Sequence, residues 1–178
     1  MALFVKRFVF KELVEGDFRK FIAQSNDTDS GGGARDLRYK PQKVFYPFFE
    51  KMMNKKNSDN TLEDIFHWRI DGKEITTNFK VHPPTKSRRN EIRNAQVNKC
   101  IPEKVVPSEH KNTIFLIVQL SDNSLWPYFV TLESIKNDDW DPIVKHVIVS
   151  AYTTEKRDSV TATGFYDYET KEEYHYGK

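Results

Sequence analysis

Apolar and polar residues alternate along several short stretches of this chain, a pattern typical of strands with one buried face. In the first stretch, from Leu3 to Phe10, three phenylalanines occupy even-numbered positions and so share a face. Two later stretches flank Asp71-Gly72, a dipeptide that strongly favours a hairpin turn. The pattern predicts strands over residues 3–10, 65–70, 74–81, 114–120, 125–132 and 165–168.

Helical signals are fewer. Asp17 precedes a short apolar-periodic segment and would cap it, and Pro47 fits the first turn of a helix that runs to Met53. Residues 142–153 predict a late helix capped by Asp139 or Asp141, although their β-branched residues leave a strand open. These elements predict a mainly β protein with short helices, of the α+β class, folded as one domain over residues 1–178 with a frayed tail from residue 169.

The first strongly polar stretch, residues 24–33, holds no apolar side chain and ends in three glycines. Such a stretch predicts a surface loop whose backbone can approach a ligand closely. Glycine and serine would also suit a flexible linker, but the loop leads directly to Arg35 and Arg38, which favours ligand contact. No Gly-Lys-Ser/Thr follows the glycines, so a phosphate-binding loop for nucleotide hydrolysis is not predicted.

The second polar stretch, Lys86 to Asn94, combines four cations with side chains that can read base edges. In a strand its side chains would alternate between the two faces, and Ile92 is its only apolar residue. A strand with charges on both faces has no core to cover, so we expect it to project as an arm. Residues 80–104 hold seven Lys or Arg residues against two acids, a local excess of the kind found on polyanion-binding faces. A solvated charged strand is the alternative.

Overall composition adds limits. The formal net charge of +2 identifies no partner by itself. The single cysteine, Cys100, excludes an internal disulfide and suits a reducing cytoplasm. The chain shows no zinc-site spacing and no membrane-length apolar run, so we predict no metal, no cofactor and no membrane partner.

Two motifs, Asn26-Asp27-Thr28 followed by a Gly-Gly pair and Arg89-Asn90-Glu91-Ile92-Arg93, resemble the paired recognition arms of EcoRII-type effector domains, members of the B-three-like DNA-binding family. The resemblance covers roughly the first hundred residues. It implies an open pseudobarrel of about seven strands with two arms that grip the major groove. By position the arms would supply the DNA-binding residues Ser25, Asn26, Asp27, Thr28, Arg35, Arg38 and Tyr39, and Lys86, Arg88, Arg89, Asn90, Glu91, Arg93 and Asn94.

The hypothesis is therefore site-specific binding of double-stranded DNA, as the non-catalytic recognition module of a restriction or defence system. In such systems the module is attached to a nuclease or to a McrB-like motor subunit. Asp27 and Glu91 would repel phosphate, which favours sequence reading over non-specific binding. Two alternatives stay open. One is a metal-dependent nuclease that uses Glu103-Lys104 and the acids of residues 138–141, and the other is a module that binds an acidic protein partner.

Overall fold

In a computed structural model of the protein, residues 2–22, 35–109, 111–153 and 161–175 are described. Their ten strands are β1 (Val5–Glu12), β2 (Leu37–Tyr39), β3 (Lys55–Lys56), β4 (Leu62–Ile70), β5 (Lys73–His82), β6 (Ile92–Asn94), β7 (Thr113–Leu120), β8 (Leu125–Thr131), β9 (Thr163–Asp167) and β10 (Glu173–His175). The helices are α1 (Glu15–Ile22), α2 (Gln42–Met52), α3 (Val97–Cys100), α4 (Leu132–Asn137) and α5 (Pro142–Thr153), with one 3-10 turn at Glu103–Val105. Within these ranges no helix combines the length and apolar composition needed to cross a bilayer. The predicted α+β class, mainly β with short helices, is confirmed, with ten described strands rather than about seven.

The chain groups into two compact units, Met1–Glu15 with Pro107–Lys178, and Gly16–Val106. In the first unit the strand order is β10-β9-β1-β7-β8, and every neighbouring pair is antiparallel. Phe8 and Phe10 of β1 pack in a buried cluster with Val147 and Ile148 of α5. The expected frayed tail is corrected for residues 173–175, which form β10 on β9 and bury His175.

Helix α5 confirms the late helix, with the bounds that the sequence predicts. Asp141 is its cap, because its Oδ1 accepts hydrogen bonds from the backbone N–H groups of Ile143 (2.9 Å) and Val144 (3.3 Å). The β-branched stripe that left a strand open is buried along the helix, where Val144 and Val147 lie in the core. Tertiary burial therefore outweighs the modest β preference of these residues.

The second unit holds the order β4-β5-β6-β2, with β3 paired to β4. β4 and β5 form the predicted hairpin, in which Asp71 and Gly72 both have positive φ at the turn. β6 pairs with β5 on one side and with β2 on the other, so it is an interior strand. Within the described residues neither unit closes its sheet on itself, as expected of an open fold.

An aromatic core fills one face of the second unit's sheet. Phe66 and Phe79 stack with ring centroids 4.0 Å apart, and Phe49 of α2 lies 6.3 Å from Phe79. Tyr39 joins this cluster 5.2 Å from Phe49. Because apolar side chains occupy this face, Arg93 of β6 points from the opposite face.

The predicted start of α2 at Pro47 is wrong, since the helix begins at Gln42 and Pro47 lies inside it. Proline cannot donate a hydrogen bond to the carbonyl four residues earlier, here that of Lys43. Both Lys43 and Pro47 are exposed, so water can bind that carbonyl, while Phe45 and Phe48 are buried. Burial of the aromatic side chains holds the helix together across the proline.

Candidate nucleic-acid interface

Three basic side chains form a row across neighbouring strands of the second unit. His82 of β5 lies opposite Arg93 of β6, and Arg93 lies opposite Arg38 of β2. Directly opposed residues of antiparallel strands point to the same face, so the three side chains share the face that the core does not occupy. Strands lie about 4.8 Å apart, and the row therefore spans about 10 Å. We call this surface the basic row.

Arg93 is fixed within the row by a buried carboxylate. Its Nη1 donates to Asp36 Oδ2 at 3.1 Å, and Asp36 is only 2% exposed. The other oxygen of Asp36 accepts the backbone N–H of Gln96 at 3.0 Å. The guanidinium is thus oriented by a group whose second hydrogen bond anchors the turn after β6.

A second carboxylate, Glu91, gathers three cations beside the row. Its Oε1 lies 3.4 Å from Arg38 Nε and 3.7 Å from Arg88 Nε, and its Oε2 lies 3.5 Å from Lys40 Nζ. Glu91 is 6% exposed, whereas Arg38 and Lys40 keep 40% and 60% of their side chains accessible. We call these four residues the Glu91 cluster. Three cations around one carboxylate leave a net charge of +2 with donors free to face solvent or a ligand.

The segment before β6 is a turn rather than the predicted projecting strand. Thr85 and Arg88 form an isolated bridge, closed by the Arg88 N–H bonding to the Thr85 carbonyl at 3.0 Å. Arg89 Nε donates to the Lys86 carbonyl at 3.2 Å, and Lys86, Arg89 and Asn90 are exposed. The arm prediction fails because Ile92 and its neighbours complete the sheet between β5 and β2, where a strand has a core to cover.

Three of the predicted DNA-binding residues are buried in this structure. Asn94 is 0% exposed and lies between Val81 and Leu37 on the core face. Tyr39 is 1% exposed, and burial, followed by the nearby Asp17 and Cys100, raises the pKa of its hydroxyl far above the usual range. Glu91 lies beneath the cations that it pairs with, so its oxygens do not face outward for a cytosine amine.

The two predicted arms meet as adjacent strands where they are described. Leu37 pairs with Asn94, and Tyr39 pairs with Ile92, so the second half of each arm belongs to one sheet. Arg35 is half-buried, and its carbonyl accepts the Val97 N–H at 2.9 Å. The remaining predicted contacts, Ser25, Asn26, Asp27 and Thr28, lie outside the described residues.

His82 belongs to the basic row, although the sequence does not single it out. Burial, then the positive charge of Arg93, lowers the pKa of its imidazole. The neutral ring has one donor and one acceptor nitrogen, and its Nδ1 lies 3.2 Å from Thr61 Oγ1. Asp36 and Lys40 were missed as well. Pairing between strands brings Asp36 next to Arg93 and Lys40 next to Glu91, and no local sequence signal predicts that pairing.

No protein-family model matches the chain, and no curated protein matches it significantly. The likeness to the B-three-like family therefore stays a prediction from two short motifs.

Proposed function

We propose that the protein is a site-specific double-stranded DNA-binding module, and that the DNA lies on the basic row and the Glu91 cluster. In this proposal the module acts in the cytoplasm as the target-recognition part of a restriction or defence system. It catalyses no reaction itself. A fused or associated nuclease or motor subunit would then act on the DNA that the module selects.

The observation that carries the proposal is the convergence of Arg38, Lys40 and Arg88 on the single buried carboxylate of Glu91. A lone cation on a surface is solvated and mobile, whereas cations held around one anion are oriented before any ligand arrives. Binding then loses less side-chain entropy, which favours affinity. The excess positive charge suits phosphate, whose contacts supply most of the sequence-independent affinity for DNA.

The dimensions of the surface agree with a duplex. The row spans about 10 Å, and the major groove of B-form DNA is about 12 Å wide. The exposed turn before β6 adds Arg89 and Asn90, side chains that can pair with guanine and adenine edges respectively. Phosphate contacts from the cluster would set the register, and the turn would read bases.

Selection from a pool of randomised duplexes tests the proposal, and binding to the enriched duplex is then measured against salt concentration. We expect Arg88→Ala and Arg89→Ala each to weaken binding. If the lost contact is to phosphate, the slope of log binding constant against log salt concentration should fall in magnitude by about one. Lys73→Ala is the matched control. It removes the same charge from an exposed position about 30 Å along β5 from His82, and binding should not change.

Three results would contradict the proposal. One is that no sequence is enriched, and another is that the two arginine variants bind as tightly as Lys73→Ala. The third is cleavage of DNA by this chain alone in magnesium, which would favour the nuclease alternative. Tight binding to an acidic polypeptide without duplex selectivity would instead favour a protein partner.

A further inference from the structure

A groove of about 730 Å³ opens within the second unit, beside the basic row. Its walls come from β4, β5, α3 and the turn that leads into α3. His82 belongs to both the groove and the row. A volume of this size falls in the range of small-molecule sites, about 300–1,000 Å³.

Several polar side chains of the groove have no partner in the part of the chain that the structure describes. Among the described residues, the amides of Asn78 and Gln96 and the ammonium of Lys99 take part in no hydrogen bond or ion pair. Lys80 also lines the groove, but it pairs with Glu63 at 2.6 Å. Two amides offer donors and acceptors side by side, and Lys99 adds an uncompensated positive charge.

The position of Gln96 is built into the fold. Its φ of 49° lies in the left-handed region, which is unfavourable for residues other than glycine. Two hydrogen bonds hold it, from the Gln96 N–H to Asp36 Oδ1 at 3.0 Å and from the Ala95 N–H to the Lys80 carbonyl at 3.0 Å. A strained residue kept in place by its surroundings is a reason to suspect a binding role.

The chemistry of the lining selects a class of ligand. Carboxamides pair with the edge of a nucleobase, as Asn and Gln do with adenine, and a lysine binds phosphate. Ile65 is 45% exposed in the groove wall and offers an apolar surface to a flat ring. A simple anion would use the lysine and leave the amides and the apolar wall without a role.

We propose that this groove binds a single nucleotide, with the base edge on Asn78 and Gln96 and the phosphate on Lys99. The inference rests on the proposed function in placing the groove beside bound nucleic acid. The nucleotide has two sources, a base unstacked from the bound duplex or a free nucleoside monophosphate, and the recognition chemistry is the same for both.

The first experiment uses the four deoxynucleoside monophosphates, with inorganic phosphate as the comparison, in NMR titrations of the whole chain. We expect shifts centred on Asn78, Gln96 and Lys99, and at least tenfold weaker binding of phosphate than of the best nucleotide. Asn78→Ala and Lys99→Ala should each weaken nucleotide binding about tenfold, while Lys73→Ala should not. Both substituted residues are exposed, so thermal stability should be unchanged. Equal affinity for phosphate and nucleotides, or shifts outside the groove, would overturn the proposal.

The second experiment separates the two sources. A duplex with one mismatched pair needs less energy to unstack a base, so it should bind about tenfold more tightly than the paired duplex if the groove takes a base from DNA. Asn78→Ala should abolish that preference, whereas Arg89→Ala should weaken both duplexes equally. Nucleotide binding in the groove without a mismatch preference would support a free nucleotide as the source.

The two proposals fail in different ways. Selective duplex binding without nucleotide binding would overturn the groove inference and leave the proposed function standing. Nucleotide binding at Asn78 and Lys99 without any duplex binding would overturn the proposed function and leave the groove as a free-nucleotide site.

Discussion

Replacing Asn94 by leucine should stabilise the protein and leave DNA binding unchanged. Asn94 is fully buried, and its neighbours across the two strand pairs are Val81 and Leu37, which are buried as well. Neither the amide nitrogen nor the amide oxygen has a hydrogen-bond partner among the described residues. The side chain thus gives up its hydration on folding and gains no hydrogen bond in return.

The size of the effect follows from that missing hydrogen bonding. A buried polar group without a partner costs about 1–3 kcal/mol. Leucine has nearly the same shape, and volume-conserving core exchanges cost less than about 1.5 kcal/mol. We therefore expect Asn94→Leu to raise the free energy of unfolding by about 1–2 kcal/mol, equivalent to a rise in Tm of about 2–8 °C for a chain of this size.

Urea denaturation and a thermal melt measure the stability, and binding to the selected duplex measures the function. Asn90→Ala is the matched control, because Asn90 is exposed and contributes only its carbonyl, which accepts the Gln42 N–H at 3.1 Å. Stability should change by less than about 0.5 kcal/mol in the control. Duplex binding should weaken in Asn90→Ala and stay within about twofold of the parent in Asn94→Leu.

Two results would refute this reasoning. A loss of more than about 1 kcal/mol in Asn94→Leu would mean that the amide is hydrogen-bonded in the folded protein, so that leucine breaks a network. A loss of duplex binding with unchanged stability would mean that Asn94 reaches the DNA, as the resemblance implied, and that the sheet opens on binding.

Three further predictions concern other parts of the fold. Gly164→Ala should destabilise the protein by about 1–3 kcal/mol in urea denaturation, because a Cβ would overlap the backbone of β10. Gly16→Ala is the control and should not destabilise it, because a Cβ there would meet nothing within 4 Å. Equal effects of the two substitutions would contradict this prediction. Burial raises the pKa of the Cys100 thiol to about 12, so a thiol reagent at pH 8 should react with it only when the protein unfolds locally or globally. Reaction at the rate of an exposed thiol would show that Cys100 is not buried. The lowered pKa of His82 means that the unfolded chain binds a proton at higher pH than the folded one, so the free energy of unfolding should fall as pH decreases below about 6.5. His82→Gln should reduce that fall, and an unchanged pH profile would show that the pKa is not lowered.

Glu91 shows which properties of a residue can be predicted from the sequence and which cannot. Its position among cations was visible along the chain, and the interpretation as a base-reading acid assumed that its strand projects into solvent. In the structure the Glu91 carboxylate is buried instead, and it holds Arg38, Lys40 and Arg88 together. Charge composition is a local property, but burial depends on which strand lies alongside.

The hairpin of β4 and β5 and the helix α5 were predictable because their signals are local. A turn dipeptide between apolar runs, or a proline followed by an apolar stripe, encodes an element within a dozen residues. The start of α2 was not predictable, because the helix continues through Pro47 only where the aromatic core holds it.

The sequence by itself determined the class of the fold, the main strands and a concentration of positive charge between residues 80 and 104. Tertiary structure decided which of those charges meet. The basic row exists because His82, Arg93 and Arg38 fall opposite one another in two strand pairs, and the same register turns Asn94 inward. A one-residue shift in pairing would exchange the two faces, and that register is fixed by the packing of the whole sheet on its core rather than by any short segment.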